Sequence, residues 1–219
     1  MMPKYIMVAL FLFLLACSSG KKSEKATPEA VPVQDIPVGA RALFDGQSLD
    51  GWNITNFGTQ GPVRVSSGKI IINMGDGCSG ITFRDSFPRV NYEVGLEARK
   101  TAGNDFFCGL TFPVNEAYCS LVIGGWGGPV VGLSTIDGRD ASENETRSLM
   151  NFEPNVWYAI RLTVSDSTIV ASIDKQDVVR FNYTHREIDI RPEVSLSKPF
   201  GLCTWMTTAE IRNFWMREL

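Results

Sequence analysis

Alternation of hydrophobic and polar positions is the dominant pattern along most of this chain. In "VNYEVGLEAR" the apolar and charged side chains occupy opposite faces of an extended backbone: Tyr92, Val94, Leu96 and Ala98 on one, Glu93, Glu97 and Arg99 on the other. The stretch "VWYAIRLTV" alternates in the same way. A period of two residues indicates β-strands with one buried face.

Turn residues divide these stretches into hairpins. We expect one turn at Ser67-Gly68, one at "PVNE" between "DFFCGLTF" and "AYCSLVIGG", and one near Asp174 to Gln176. The final "AEIRNFWMREL" is also compatible with a helix, but its aromatic residues and β-rich setting favour a strand. Short strands without intervening long helices predict an all-β fold, an antiparallel sandwich or barrel. We expect Trp52 and Trp157 in its core.

The N-terminus has the features of an export signal. One basic residue, Lys4, precedes an apolar run from Tyr5 to Ala16 that is too short to span a bilayer as a mature helix. The run ends in "LLAC", which resembles a lipoprotein cleavage box and would place a lipid on Cys17. The alternatives are an ordinary secretory signal with a chance cysteine and an uncleaved anchor.

Composition divides the remaining chain into a linker and one domain. Residues 17–39 are rich in Ser, Lys, Glu, Pro and Ala and lack apolar periodicity, which is typical of a flexible tether. Residues 40–219 have the usual length of a single domain. Together with a signal at residues 1–16, this predicts a membrane-anchored lipoprotein of the cell envelope, at the outer membrane or the periplasmic face.

Charge and rare residues exclude several classes of function. The formal net charge of −3 and the absence of a basic stripe argue against nucleic-acid binding. With one histidine, His185, neither a Ser-His-Asp triad nor a His-rich metal centre is expected. The other cysteines are Cys78, Cys108, Cys119 and Cys203. Their spacing is not that of a zinc site, and we expect either buried thiols or one or two disulfides.

Four sequence stretches carry a resemblance to a known family. They are "LFDGQSLDGW" from Leu43, "VRVSSGKIII", "SGITFRDSFPRVNYEVGLEARKTAGND" and the closing "GLCTWMTTAEIRNFWMREL". In this order they resemble the 3-keto-disaccharide hydrolase domain family, first catalogued as a domain of unknown function. The resemblance implies a concanavalin A-like jelly-roll β-sandwich and activity on carbohydrates. The chain departs from the family at Asn104 to Phe112, where "NDFFCGLTF" replaces the usual "NSGIFFR" and lacks the serine, the glycine that directly follows it, and the arginine.

Glu97, Arg99 and Asp105 are the candidate catalytic residues. If their strand belongs to the concave sheet, Glu97 and Arg99 face the ligand groove, and Asp105 at the start of the next strand comes close. The resemblance implies keto-sugar chemistry: a 3-keto sugar has an acidic C2 proton, so one carboxylate base and one cation for the enolate suffice to expel the C1 substituent. Glu97 as base and Arg99 as stabiliser fit this chemistry. The alternative is an exposed cross-strand ion pair worth under about 1 kcal/mol.

The stretch "IGGWGGPVVGLSTIDGRDASENET" is the candidate ligand-binding region. Trp126 among glycines can stack on a sugar ring, with Asp137, Arg139 and Asp140 hydrogen-bonding its hydroxyls. The alternatives are a capped strand end followed by a solvated turn, or a calcium site made by the acidic residues, although their spacing matches no EF-hand loop. Trp205 is a further candidate for the groove.

These observations predict a carbohydrate-active protein without a bound metal or other cofactor. The specific expectation is a hydrolase or lyase of glycosides, including 3-keto-glycosides, outside the cytoplasm. The rival is a non-catalytic module that binds glycans or another envelope protein, which the missing "NSGIFFR" residues favour. The expected partners are a carbohydrate and, through Cys17, the membrane; the oligomeric state is open.

Overall fold

The computed structural model describes residues 36–219. The predictions for the signal peptide, Cys17 and most of the tether lie outside these residues and stay predictions. Among the described residues, no helix is long and apolar enough to cross a bilayer.

The described chain forms fifteen strands and a short 3₁₀-helix, Pro192–Ser197. The strands are β1 (Arg41–Ala42), β2 (Trp52–Ile54), β3 (Val63–Ser66), β4 (Lys69–Ile72), β5 (Cys78–Phe83), β6 (Tyr92–Gly103), β7 (Cys108–Val114), β8 (Ala117–Gly125), β9 (Val130–Ser134), β10 (Ser148–Leu149), β11 (Tyr158–Val164), β12 (Thr168–Ile173), β13 (Gln176–Asn182), β14 (Gly201–Trp205) and β15 (Thr207–Glu218).

These strands build two antiparallel sheets packed face to face. The eight-stranded sheet has the order β13-β12-β11-β6-β15-β4-β3, with β1 paired to β15. The seven-stranded sheet has the order β10-β9-β8-β7-β14-β5-β2. This is a jelly-roll β-sandwich of the concanavalin A-like type, and it confirms the predicted fold class.

Hydrophobic alternation decides which face of each strand enters the core. Along β6, Val94 and Ala98 are fully buried between the sheets, while Glu97 and Arg99 point outwards and are half-buried. The three expected hairpins form, as β3–β4, β7–β8 and β12–β13. The C-terminal segment is the predicted strand, β15, because its apolar residues pack into the same core.

The family-like "LFDGQSLDGW" stretch is a structural cap. The Asp45 carboxylate accepts the backbone N–H groups of Gln47 and Ser48 at 2.7 and 2.8 Å, and these bonds lower its pKa. Trp52 donates from Nε1 to the Leu43 carbonyl at 2.7 Å and packs against core aromatics. This stretch fastens the beginning of the domain to its core.

Two expectations about buried residues are resolved here. Trp52 is in the core, 4 % exposed, but Trp157 is not: it lies half-buried outside the eight-stranded sheet, under the guanidinium groups of Arg99 and Arg212. The four described cysteines are free, buried thiols rather than disulfides. Burial raises the pKa of the Cys119 thiol to about 12.

Candidate functional site

A cavity of about 190 Å³ opens on the outer face of the seven-stranded sheet. Its floor consists of small side chains from three adjacent strands: Gly109 and Thr111 of β7, Ser120 and Val122 of β8, and Ser134 of β9. Thr111 and Ser120 are joined by a hydrogen bond of 3.0 Å between their hydroxyls. Since the outward positions are small, the sheet leaves space where bulkier residues would fill it.

Three aromatic side chains, Phe106, Trp126 and Trp205, line the walls of this cavity. The rings of Phe106 and Trp205 are 6.5 Å apart, and the Trp205 N–H donates to the Phe106 carbonyl at 3.0 Å. A side chain at Gly109 would meet the Phe106 ring, since a Cβ there would lie 2.9 Å from it. The glycine therefore sets how closely Phe106 packs over the floor.

Trp126 is exposed and its backbone is strained. It has a φ of 50° and is 40 % exposed, at the end of β8 where the register shifts between Ile123 and Gly125. A bulky residue in the left-handed region is uncommon and costs of order 1–3 kcal/mol, so such positions cluster at functional sites. The fold thus holds an indole at the mouth of the cavity instead of burying it.

Asp105 holds the two neighbouring aromatic segments. Its Oδ1 accepts the Phe106 N–H at 2.7 Å and its Oδ2 accepts the Gly127 N–H at 3.4 Å, directly after Trp126. The Asp105 N–H donates to the Thr207 hydroxyl at 3.1 Å. Asp105 lines the cavity and connects the walls formed by Phe106 and Trp126.

A chain of charged groups forms the opposite rim. The Ser134 hydroxyl donates to Asp140 at 3.1 Å, Asp140 accepts from Arg191, and Arg191 makes two bonds to the Glu193 carboxylate, at 2.8 and 3.3 Å. The bonds to Glu193 raise the pKa of Arg191, and the guanidinium lowers the pKa of Glu193. Glu193 is therefore an ionised carboxylate at neutral pH.

Backbone pairing and a small apolar cluster position this rim. Thr135 and Asp189 exchange two backbone hydrogen bonds, of 2.6 and 3.2 Å, which bring the segment containing Arg191 alongside Asp140. Val194, within the 3₁₀-helix, packs on Cys78 and Cys203 of the sheet. Backbone pairing before Arg191 and the packing of Val194 after Glu193 thus fix these two residues above the cavity.

Asp137, the other acidic residue predicted for ligand binding, is paired with an arginine outside the cavity. Asp137 and Glu145 both bind Arg186, at 2.6 and 2.5 Å, and Arg186 lowers the pKa of both carboxyl groups. Asp137 also accepts the Glu187 N–H at 2.9 Å. These contacts attach the loop to residues 186–187, outside the cavity. Arg139 is exposed to solvent.

The calcium alternative fits this arrangement poorly. Asp137 and Glu145 both bind Arg186, and Asp140 binds Arg191, so the carboxylates already have arginine partners. In residues 36–219 no group of three or more His, Cys, Asp or Glu residues is placed to hold a metal ion.

The predicted convergence of Glu97 and Arg99 with Asp105 is wrong. Glu97 and Arg99 lie outside the eight-stranded sheet, on the opposite outer face of the sandwich from the cavity that Asp105 lines. Glu97 binds Arg212 and Asn213 at 2.7 Å, and Arg99 binds Glu210 at 2.6 Å. Alternation along β6 was correctly interpreted, but the sheet to which β6 belongs is set by long-range pairing.

The sequence predicted some of the residues that line the cavity but not the charged residues at its rim. It identified Asp105, Trp126, Asp140 and Trp205, all of which line the cavity or contact its rim. It missed Phe106, Ser134, Arg191 and Glu193. Arg191 and Glu193 lie in the segment "DIRPEV", which has no hydrophobic periodicity. The only signal there is the Arg-Pro-Glu order, which places two opposite charges around a proline.

Solved structures similar to this chain come from carbohydrate-related proteins. One is a protein from Parabacteroides distasonis described as a glycosyl hydrolase (TM-score 0.55, 14 % identity, 83 % of this chain and 94 % of that one). Another is the carbohydrate-binding module CBM66 from Bacillus subtilis (TM-score 0.51, 14 % identity, 77 % and 96 %). A third is Crh5 transglycosylase (TM-score 0.57, 12 % identity, 82 % of each chain). At these identities the similarity shows the fold alone.

Sequence comparison shows the family. No curated protein sequence matches the chain. A family model described as a 3-keto-alpha-glucoside-1,2-lyase-like domain matches residues 39–217, nearly the whole described region. The fold is that of glycosyl hydrolase-like and carbohydrate-binding domains, and the chain belongs to the 3-keto-alpha-glucoside-1,2-lyase-like family.

Proposed function

We propose that this protein binds 3-keto-α-glucosides in the cavity of the seven-stranded sheet and cleaves them by elimination. The observation that carries the proposal is one cavity with aromatic walls and an ionised Arg191–Glu193 pair at its rim. Aromatic faces suit the apolar face of a sugar ring, while fixed polar groups orient its hydroxyls. The family description and the carbohydrate-related neighbours support the same substrate class.

The chemistry divides between the two members of this pair. Glu193 accepts the C2 proton that the adjacent C3 ketone makes acidic, and Arg191 stabilises the negative charge that develops on the C3 oxygen. The enolate then re-forms the C3 carbonyl and expels the C1 substituent, a C1–C2 double bond forms, and protonated Glu193 gives its proton to the leaving oxygen. If Arg191 turns towards the C3 carbonyl oxygen of the bound substrate, its interaction with Glu193 weakens, which makes the carboxylate a stronger base before it takes the proton.

The departure from the usual family sequence falls in this same cavity. The stretch Asn104 to Phe112 contributes Asp105, Phe106, Gly109 and Thr111 to its lining. An aromatic side chain and a carboxylate thus stand where the usual family pattern has a glycine and a serine. We infer that the protein retains the substrate class of the family and differs in the glucosides it prefers.

A second candidate, a non-catalytic sugar-binding module, is favoured by one observation. Arg191 already has two carboxylate partners, Asp140 and Glu193, and the pKa of Glu193 is lowered, which weakens it as a base. The fold of CBM66 is compatible with such a role. Turnover of a bound substrate distinguishes the two functions.

Glu193→Gln provides the test of catalysis. We expect the turnover of methyl 3-keto-α-glucoside to fall at least about 100-fold, because general acid–base groups contribute roughly 10²–10⁴-fold. Affinity measured by calorimetry should change by only a few-fold. Product formation is followed by mass spectrometry, with Glu116→Gln, on the exposed β7–β8 turn, as the matched control.

Unchanged turnover in Glu193→Gln would refute the role of Glu193. Binding of the keto-glucoside by the native protein without conversion would make the protein a binding module.

We further propose that the protein acts in the cell envelope as a membrane-anchored lipoprotein. The proposal rests on the apolar run and the "LLAC" motif that end at Cys17. Cys17→Ser should release the protein from the membrane fraction of a bacterial host, and labelling with radioactive palmitate should be lost. Palmitate incorporation that persists in Cys17→Ser would contradict this assignment.

A further inference from the structure

Two cations share one aromatic ring near the start of β8, at the opposite end of this strand from Trp126. The Arg89 guanidinium lies 5.1 Å from the centroid of the Tyr118 ring, and the Lys198 ammonium lies 5.5 Å from the same centroid. Like charges gathered on one ring repel each other, so an anion beside them would stabilise the arrangement.

The acidic residue already present is a weak counter-ion for these two cations. Within residues 36–219, Arg89 pairs only with Glu116, whose carboxylate is 3.7 Å away and fully exposed. This separation is longer than a hydrogen bond, and a pair in full contact with water contributes little. The Lys198 ammonium makes no ion pair or hydrogen bond in this part of the chain. Both cations can therefore accept a further anion.

Arg89 is held in a fixed position by the β7–β8 turn. Its Nε donates to the Asn115 carbonyl, and the Asn115 N–H donates to the Arg89 carbonyl at 3.0 Å. Its Nη1 donates to the Tyr118 hydroxyl at 3.2 Å. A guanidinium fixed in this way loses little conformational freedom when it binds an anion.

The 3₁₀-helix brings Lys198 to the same ring. Lys198 directly follows this helix and has an extended backbone, with a φ of −75° and a ψ of 146°. Ser197, the last helical residue, is buried against β14, since a Cβ at Gly201 would lie 2.7 Å from the Ser197 Cβ. The packing of Ser197 on the sheet thus sets where the Lys198 side chain begins.

The Tyr118 ring belongs to the sheet face that carries the cavity. Along β8, Cys119 and Leu121 point into the core, whereas Ser120 and Val122 form the cavity floor. By the alternation of a strand, Tyr118 is on the same side as Ser120, about 7 Å further along β8. A ligand that lies across this face can therefore contact the two cations.

We propose that Arg89, Tyr118 and Lys198 form a binding site for an acidic glycan, with the two cations on a carboxylate or sulfate group. Guanidinium and ammonium groups both donate charge-assisted hydrogen bonds to such oxyanions. A glycan is favoured over a lipid headgroup because the adjoining surface carries the Thr111 and Ser120 hydroxyls, which suit a carbohydrate. The inference goes beyond the proposed function and does not depend on the elimination chemistry.

The test compares two oligosaccharides that differ only in charge. Isothermal calorimetry on the full-length protein measures the affinity for trigalacturonate and for its methyl ester, which has the same rings but no carboxylates. Trigalacturonate should bind about tenfold more tightly at low ionic strength, because charged hydrogen bonds are the stronger ones. The difference should largely disappear in about 0.5 M sodium chloride, since salt screens exposed charges. Equal affinities at low ionic strength, or no binding of trigalacturonate, would overturn the proposal.

Lys198→Gln tests whether the preference arises at this site. Loss of the ammonium should reduce the ratio of the two affinities to about twofold or less. Lys175→Gln is the matched control, because Lys175 is exposed on the β12–β13 turn of the other sheet and its loss changes the net charge equally. This control should keep the native ratio. An unchanged ratio in Lys198→Gln, or an equal fall in both variants, would refute the site.

A lipid headgroup is distinguished with glycerophosphoglycerol, the soluble headgroup of phosphatidylglycerol. If this compound binds and Lys198→Gln abolishes its binding, while trigalacturonate and its ester bind equally, the site belongs to a lipid and the glycan assignment is overturned. The two proposals for this protein are tested with different ligands. Methyl 3-keto-α-glucoside has no charge and trigalacturonate has no ketone at C3, so failure of one proposal leaves the other standing.

Discussion

The two outer faces of the sandwich use similar residues in opposite ways. On the eight-stranded sheet, Glu97 pairs with Arg212 and Glu210 with Arg99, and Trp157 lies under two guanidinium groups. On the seven-stranded sheet, Trp126 and the Arg191–Glu193 pair surround a floor of small side chains. Both faces carry carboxylates, arginines and tryptophans, and on the second these residues surround a cavity of about 190 Å³.

The difference comes from the size of the outward-facing residues. Long charged side chains on adjacent strands reach one another across a sheet and cover it. Small residues such as Gly109 and Ser120 leave a hollow, and loops bring the charged groups to its rim. The types of residue on a sheet face therefore indicate a ligand-binding site less well than the size of the side chains at the centre of that face.

The largest expected effect comes from filling that centre. Val122→Phe places a ring on the cavity floor and should reduce affinity for methyl 3-keto-α-glucoside at least about 100-fold, since the ring occupies the ligand's volume. Isothermal calorimetry measures the loss. Val170→Phe is the matched control, because Val170 occupies an outward position of β12 on the other sheet. Binding retained by Val122→Phe would contradict the location of the site.

A smaller loss is expected when an aromatic wall is removed. Trp126→Ala should weaken binding about tenfold, or 1.4 kcal/mol, through the loss of ring stacking. Trp157→Ala should leave affinity unchanged and lower the unfolding free energy by about 1–2 kcal/mol, since two cation–π contacts disappear. Calorimetry and urea denaturation measure the two quantities. A loss of affinity in Trp157→Ala would instead indicate that the ligand binds on the eight-stranded sheet.

Asp105→Ala should weaken binding about fivefold, because Asp105 positions the Trp126 segment through the Gly127 N–H. If this is its role, the double variant Asp105→Ala/Trp126→Ala binds no more weakly than Trp126→Ala, as residues acting through one another are non-additive. The double-mutant cycle is measured with methyl 3-keto-α-glucoside. Additive losses would instead indicate that Asp105 contacts the sugar itself.

The smallest effect on activity is expected on the opposite face. Glu97→Gln keeps the shape of the side chain and should leave turnover of the keto-glucoside within twofold of the native value. The unfolding free energy should fall by about 1 kcal/mol or less, because partly exposed ion pairs contribute little. Steady-state kinetics and urea denaturation provide the two values. A hundredfold loss of turnover would restore Glu97 as the catalytic base.

Local patterns predicted the elements of the fold but not how distant strands are arranged. Alternation and turn residues identified β6 and the three hairpins because both signals lie within a few residues. Glu97 was misplaced because the pairing of β6 with β11 and β15 depends on residues more than 50 positions away. Arg191 and Glu193 were missed for the same reason: their partners, Asp140 and the sheet, lie far along the chain.

The pairing of β1 with β15 has a practical consequence for handling the protein. Arg41 and Ala42 join the eight-stranded sheet opposite Met216 and Trp215, whereas the cavity opens on the seven-stranded sheet. The first paired residues therefore lie in the sheet that does not bear this cavity. We expect a fusion partner or solid support coupled ahead of Arg41 to leave the cavity mouth accessible, because β1 and the cavity belong to different sheets.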